Sequence, residues 1–341
     1  MHADNFTETI LAWYARHGRD LPWRRSRDPY AIWLSEIILQ QTRIAQGTAY
    51  WERFMAAFTD VKSLAEASED VVLRLWEGLG YYSRARNLHA AAQQIVAAGG
   101  FPKSLEEIRK LKGVGDYTAA AIASIAFNIP AAVVDGNVYR VLARYYGIET
   151  PVGTTAAKKL FTELAQSLLP EKAPGDFNQA MMDFGALQCT PANPDCLTCP
   201  LSATCNALSS GRVAQLPVKR AKTAVKERYL SYIYIRCEEM TAIRQRGAGD
   251  IWQGLWEPLV IEHSSAQRTD GWPEWLDKGR LQPLKQGFRH QLTHRTLLTD
   301  FYLYEADRLP SLPDGYRWIK ERDLAKVAKP RLFELLLEQL A

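Results

Sequence analysis

The sequence predicts a multidomain chain: an all-α domain carrying a compact run of cysteines, followed by a smaller α+β domain. Three observations carry that expectation. The 341 residues, 47% of them hydrophobic, are enough to bury more than one core. Up to residue 208 the pattern is helical, with short Gly/Pro breaks and Ala-rich stretches such as HAAAQQIVAAG and AAAIASIAF. From residue 228 onward the segments RYLSYIYIRC, MTAIRQR, LWEPLVIE and TLLTDFYLYEA are rich in Tyr, Ile, Leu and Thr, as strands are. KPRLFELLLEQLA then closes the chain as a helix. Residues 209–227 between the two regions are polar and basic without periodicity, and read as a linker.

Composition narrows the setting. A net charge of only +4 means that an anionic partner must be met by local patches. The start, MHADNFTETI, is acidic and polar, unlike a secretory signal. No apolar run approaches the roughly 20 residues that span a bilayer. The expectation is a soluble monomer in a reducing, cytoplasmic compartment, with no membrane partner.

Taking the elements in order, residues 29–43 (PYAIWLSEIILQQTR) place Trp33, Leu34, Ile37 and Ile38 on one buried helical face. Glu36 projects beside that stripe. A carboxyl there loses water, which favours its protonated form and makes it a candidate general acid. A surface glutamate at the stripe's edge is the plain alternative.

Residues 111–127 (LKGVGDYTAAAIASIAF) follow the helical SLEEIRK. Gly113, Val114 and Gly115 form a hairpin that leaves the next helix's amides free to hold a phosphate. An ordinary helix–loop–helix turn fits the glycines as well. Residues 132–148 put Asp135 after the apolar AAVV and before a helix. It reads as an N-cap, or as a carboxylate at the edge of a buried region.

Cys189, Cys196, Cys199 and Cys205 fall within seventeen residues at C-x6-C-x2-C-x5-C, in a chain with five cysteines in all. A chain of this length does not need disulfide staples, so a metal site is expected. The spacing alone leaves an iron-sulfur cluster and structural zinc both open.

Together, the cysteine spacing, LKGVG, VDGN and SEIILQQT resemble the helix-hairpin-helix DNA glycosylases of the endonuclease III-like superfamily that carry a [4Fe-4S] loop. The match is closest to the MutY-type adenine glycosylases, from Leu21 to Cys205, with a weaker likeness beyond. The resemblance implies a glycosylase domain over 1–208, with its helix-hairpin-helix at about 105–127 and a cluster loop at 189–205. It further implies a Nudix-like domain at 228–341. The function so implied is removal of adenine mispaired with 8-oxoguanine or guanine in double-stranded DNA.

The resemblance also assigns roles. Glu36 protonates the base and Asp135 faces the developing sugar cation, through a transient covalent intermediate in the family. Tyr117 lies in the pocket, where lyase relatives carry a nucleophilic lysine. A phenol forms no Schiff base, so a monofunctional enzyme is expected. Trp23, Arg24 and Gln179 line the adenine pocket, Asn137 fixes the backbone near the sugar, and Gln41 and Tyr82 are wedges. Arg84 and Arg86 are candidate phosphate contacts. In the second domain the family's Phe-Ser-His reading loop is matched by Leu292, Thr293 and His294, so an aromatic wedge is replaced by leucine. No Glu-rich metal helix follows GLWEPLVIE, which argues against pyrophosphate hydrolysis. An iron-sulfur binding or redox protein would need neither Glu36 beside an apolar stripe nor Asp135 in VDGN.

Overall fold

The computed structural model describes residues 2–220, 226–292 and 295–340. It divides into two compact units. One comprises Met1–Glu66 with Ala90–Ala221, and the other Ala67–His89 with Lys222–Ala341.

The first unit is helical. One core joins Phe6, Ile10 and Trp13 of the helix His2–His17 to Val141 and Leu142 of Gly136–Tyr146 and to Phe177 and Phe184 of Pro174–Leu187. A second core packs Ile32 against Ala120, Ala121 and Ile125 of the Ala-rich helix Asp116–Phe127, with Val133 beside them. Small side chains there let helices approach closely. Gly185 shows the limit: a Cβ at that position would lie 2.6 Å from Asn137 Cβ. Only glycine lets Pro174–Leu187 press against the start of Gly136–Tyr146. The helix Thr155–Leu168 adds Phe161 to the first core.

The expected linker is packed over much of its length. Leu216 is buried, and the buried Arg144 donates from Nε to the carbonyls of Val213 and Leu216, both at 3.0 Å. Val152 and Lys219 form a parallel bridge. A buried guanidinium needs acceptors, and this polar stretch supplies them. Residues 221–225 lie outside the described part of the chain.

The second unit is a mixed seven-stranded sheet in the order β3-β2-β1-β6-β5, with β4 also on β1 and β7 on β2. The strands are β1 Lys226–Cys237, β2 Met240–Gln245, β3 Trp256–Glu257, β4 Leu259–His263, β5 Leu281–Gln291, β6 Arg295–Glu305 and β7 Tyr316–Lys320. The central pair β1 and β6 is parallel, from Lys226 opposite Arg295 to Arg236 opposite Glu305. Leu230 to Ile235 are buried continuously, because both faces of β1 are covered. The closing helix Arg331–Leu337 buries Leu332, Phe333 and Leu336. The segment Ala67–His89 belongs to this unit although it lies well inside the region expected to be the helical domain. Its Tyr82, Glu77 and Arg86 make hydrogen bonds to residues 253 and 329. Among the described residues no helix is long and apolar enough to cross a membrane.

Candidate active site

The first unit contains a cavity of about 540 Å³. Trp23, Arg24, Glu36, Gln41, Tyr117, Asp135, Asn137 and Gln179 all line it, drawn from five separate stretches of sequence. Glu36 arrives on the helix Pro29–Ile38, which starts with Pro29 and is capped by Asp28 accepting from Tyr30 N. Trp33, Leu34, Ile37 and Ile38 bury the same helix behind it. Gln41 sits in the turn that follows, exposed and with φ +59, a left-handed conformation unusual for a residue with a Cβ.

Burial pushes the Glu36 carboxyl up to about 7, helped by the negative charge of Asp135; a hydrogen bond from Tyr117 and the charge of Arg24 pull the other way. Asp135 is also raised by burial, but it is held by the amides of Asn137 and Val138, both at 2.8 Å, and by the Asn137 side chain at 2.8 Å. It is therefore both the N-cap of Gly136–Tyr146 and a wall of the cavity. Tyr117 is held well above its ordinary range by burial and by the two carboxylates, and stays a neutral hydrogen-bond donor. Two carboxyl groups with different surroundings, one near neutrality and one tied by three hydrogen bonds, can divide acid and electrostatic work.

A surrounding layer was not anticipated from sequence. Asp183 is fully buried and accepts from Arg24 Nη1 at 2.8 Å, Arg24 Nη2 at 2.9 Å and Arg19 Nε at 2.9 Å, as well as from Arg19 Nη2. These bonds hold the Asp183 carboxyl below its usual range despite burial. Tyr14 donates to Gln179 Oε1 at 3.4 Å, and Arg24 lies 5.8 Å from the Tyr14 ring centre. The available signal was the i, i+4 spacing of Gln179 and Asp183 on one helical face. Arg140 donates to Asn137 Oδ1 at 2.8 Å, to Gly185 O at 2.6 Å and to Cys189 O at 2.7 Å. It ties the site to the start of the cysteine loop.

The hairpin joins Leu105–Arg109 to Asp116–Phe127. Gly113 has φ +75, where a side chain would be strained, and Gly115 is the extended N-cap of the second helix. Val114 is buried and its amide bonds Leu111 O at 3.1 Å, so the turn is anchored from below.

The four loop cysteines are free thiols lining one small cavity with Arg144. Arg144 Nη1 donates to Cys189 Sγ at 3.4 Å. Burial pushes the Cys199 thiol up to about 11. Among the described residues, no three His, Cys, Asp or Glu side chains are grouped to hold a metal ion. The donor types nonetheless suit a thiolate-ligated cluster: the four cysteines line one small cavity, and the Arg144 guanidinium beside Cys189 offsets part of the charge that thiolates would carry there.

In the second unit the structure corrects one wedge. Tyr82 is 3% exposed and its phenol donates to Lys329 O at 3.2 Å, so it has no surface to insert into DNA. Its neighbour Tyr81 is 49% exposed, with φ +48. Arg84 is also buried, stacked 5.1 Å from Trp76 and 5.6 Å from Tyr81, and burial lowers it to about 10. Arg86 donates to Gln253 O at 2.6 Å. Both arginines therefore serve the fold, the first by cation–π packing and the second by a backbone carbonyl. Leu292 is half-buried after β5, its amide bonded to Arg295 O at 2.8 Å. Thr293 and His294 lie outside the described residues.

Residues 34–167 match the model of the HhH-GPD superfamily of base excision DNA repair proteins, and residues 231–339 that of the NUDIX domain. An adenine DNA glycosylase of Buchnera aphidicola subsp. Baizongia pistaciae is 35% identical over 302 residues, covering 86% of this chain and 84% of that protein. A solved thermostable thymine-DNA glycosylase is similar at TM-score 0.56 and 31% identity, over 61% of this chain and 97% of its own. A trapped endonuclease III–DNA covalent intermediate shares the helical fold at TM-score 0.53 and 20% identity, over 62% of this chain and 97% of its own.

Proposed function

The chain belongs to the adenine DNA glycosylase family of base-excision repair enzymes, and on that premise we propose that it excises adenine mispaired with 8-oxoguanine or guanine. The observation that carries this reading is the meeting of Glu36, Tyr117 and Asp135 in one cavity, with Glu36 raised to about 7.

An adenine inside a duplex is out of reach, so it is flipped into the cavity at a cost of a few kcal/mol. Gln179, its amide oriented by Tyr14, faces the base edge; Trp23 and Arg24 complete the wall. Glu36 delivers its proton to adenine N7. The C1′–N9 bond breaks with its electron pair leaving on the base. The sugar is left as an oxocarbenium-like cation, which the ionised Asp135 stabilises while Asn137 fixes the carboxylate. Water adds to C1′ and returns a proton to Glu36, leaving an abasic site. Tyr117 offers no amine, so the strand is not cut by this enzyme.

The amides of Gly113 and Gly115 hold the DNA backbone, positioning rather than reading it; that of Val114 is taken by Leu111 O, and its buried side chain anchors the turn instead. Gln41 and the exposed Tyr81 take the wedge roles, in place of the buried Tyr82. The second unit, through Leu292, Thr293 and His294, reads the opposite base. Cys189, Cys196, Cys199 and Cys205 would hold a [4Fe-4S] cluster, which would cross-link the loop through iron–thiolate bonds. The enzyme acts as a monomer in the cytoplasm, at the nucleoid if the host is bacterial.

The test uses protein in excess over end-labelled duplexes carrying adenine opposite 8-oxoguanine, guanine or thymine, resolved with and without hot alkali. Alkali-dependent cleavage at the two mispairs, and not opposite thymine, is the expected result. Cleavage without alkali would show a lyase, and binding with no cleavage would leave a DNA-binding role alone.

A further inference from the structure

Tyr81 is carried on the turn GLGYY, where Gly78, Gly80 and Tyr81 all have positive φ. Leu79 N donates to Trp76 O at 3.1 Å and Arg84 N to Tyr81 O at 2.8 Å, so the turn is bonded locally at both ends. Trp76 Nε1 donates to Gly80 O at 3.0 Å, and Arg84 Nη2 reaches the carbonyls of Leu79 and Gly80 at 3.3 Å. These bonds shape the turn but do not locate it.

Location comes from the far end of the chain. Tyr82 donates to Lys329 O, and the amide of Lys329 donates to Glu77 Oε1 at 3.1 Å. Lys329 is itself buried. Its ammonium donates to the carbonyls of Leu324 and Val327, both at 2.9 Å, and lies 3.7 Å from Glu77 Oε1. The next residue back, Ala328, accepts from Trp256 N at 2.9 Å at the start of β3. Arg86 adds a second tie, to Gln253 O. The residues flanking Tyr81 on both sides are thus bonded to one backbone segment, which is bonded in turn to the sheet.

We propose that Tyr82 and Glu77, gripping the backbone of Lys329, are positioning residues through which the Nudix-like sheet sets where Tyr81 probes the duplex. The inference rests on the assignment of Tyr81 as a wedge. It gives the second domain a mechanical part in lesion search besides reading the opposite base. A buried ammonium with two carbonyl acceptors and a carboxylate at 3.7 Å is a costly way to fasten a surface loop. It is intelligible if the segment it stiffens must hold a probe in register.

Tyr82→Phe in the full chain removes one hydroxyl and leaves the ring's packing in place. The probe is a duplex with adenine opposite 8-oxoguanine and 2-aminopurine beside the 8-oxoguanine, whose fluorescence rises when the step is unstacked. Tyr81→Ala gives the signal of a missing wedge, and the melting temperature of each variant controls for folding. We expect Tyr82→Phe to melt near the parent, to weaken lesion binding about five-fold, the worth of one hydrogen bond, and to lower the fluorescence rise. The double variant should lose no more than Tyr81→Ala alone, because the strut acts only through the wedge. Parent-like fluorescence and affinity for Tyr82→Phe, with Tyr81→Ala impaired, would overturn the strut alone. Additive losses would do the same. An unimpaired Tyr81→Ala would overturn the wedge assignment and the strut with it.

Discussion

Replacing Glu36 with Gln should make the protein more stable at pH 8 while abolishing base release. The free carboxyl has an ordinary value of 4.5 and is raised to about 7 in the folded chain, chiefly by burial. A group whose folded-state value lies above its unfolded value contributes fully to stability below the lower one. It loses that contribution as pH rises from 4.5 to about 7. Each unit is worth about 1.4 kcal/mol, so the whole shift amounts to about 3 kcal/mol. The carboxyl faces an open cavity, and screening by water there reduces the expected gain to about 1–3 kcal/mol. Glutamine keeps the shape and can still accept from Tyr117, but never carries the charge. The assay is urea unfolding of both proteins at pH 5 and pH 8, followed by helical circular dichroism. The variant should gain stability at pH 8 and little at pH 5. Excision should fall by at least about a hundred-fold, since an amide has no proton to give. Equal destabilisation at both pH values, or full excision, would refute the reasoning.

Tyr117→Phe removes a hydrogen bond donated to the Glu36 carboxylate, which favours the charged form. Its loss should raise the Glu36 value and move the alkaline fall of the single-turnover rate to higher pH; a shift to lower pH would show that Tyr117 plays another part. Cys199→Ser should lower the iron and sulfide content of the purified protein and its melting temperature. One zinc and no iron per parent chain would instead return the site to structural zinc.

Much of the site was legible in local pattern. The 3.6-residue period located Glu36 at the edge of an apolar stripe, and the structure gives that edge a cavity. Asp135 was readable as a cap or as a site carboxylate because its position serves both, through the same hydrogen bonds. The strands and closing helix of the second unit followed from strand composition and a helical period, whereas the parallel pairing of β1 with β6 did not. Long-range pairing was not legible. Asp183 meets Arg19 across 164 residues; its i, i+4 spacing from Gln179 puts it on the pocket's helical face but does not name that partner. Adjacent tyrosines look alike in sequence, and only the left-handed turn decides that Tyr81 faces out and Tyr82 in. Residues 209–220 read as a linker because their polarity was visible and the buried Arg144 that consumes their carbonyls was not. The segment Ala67–His89 joins the sheet's unit for the same reason, through bonds to residues some 167 to 252 positions away.

The division of labour between the two carboxyl groups is the central claim, and Asp135→Asn tests it most directly. Asparagine is as good an N-cap as aspartate, and it can still accept from the amides of Asn137 and Val138. Its NH2 then faces the Asn137 Nδ2 donor from which Asp135 Oδ2 accepted, so the variant should fold within about 1–3 kcal/mol of the parent. Single-turnover excision of adenine opposite 8-oxoguanine should fall by about a hundred- to a thousand-fold, with the dissociation constant for the same duplex changed little. A near-normal excision rate accompanied by weakened folding would contradict the account, leaving Asp135 as a helix cap and no more.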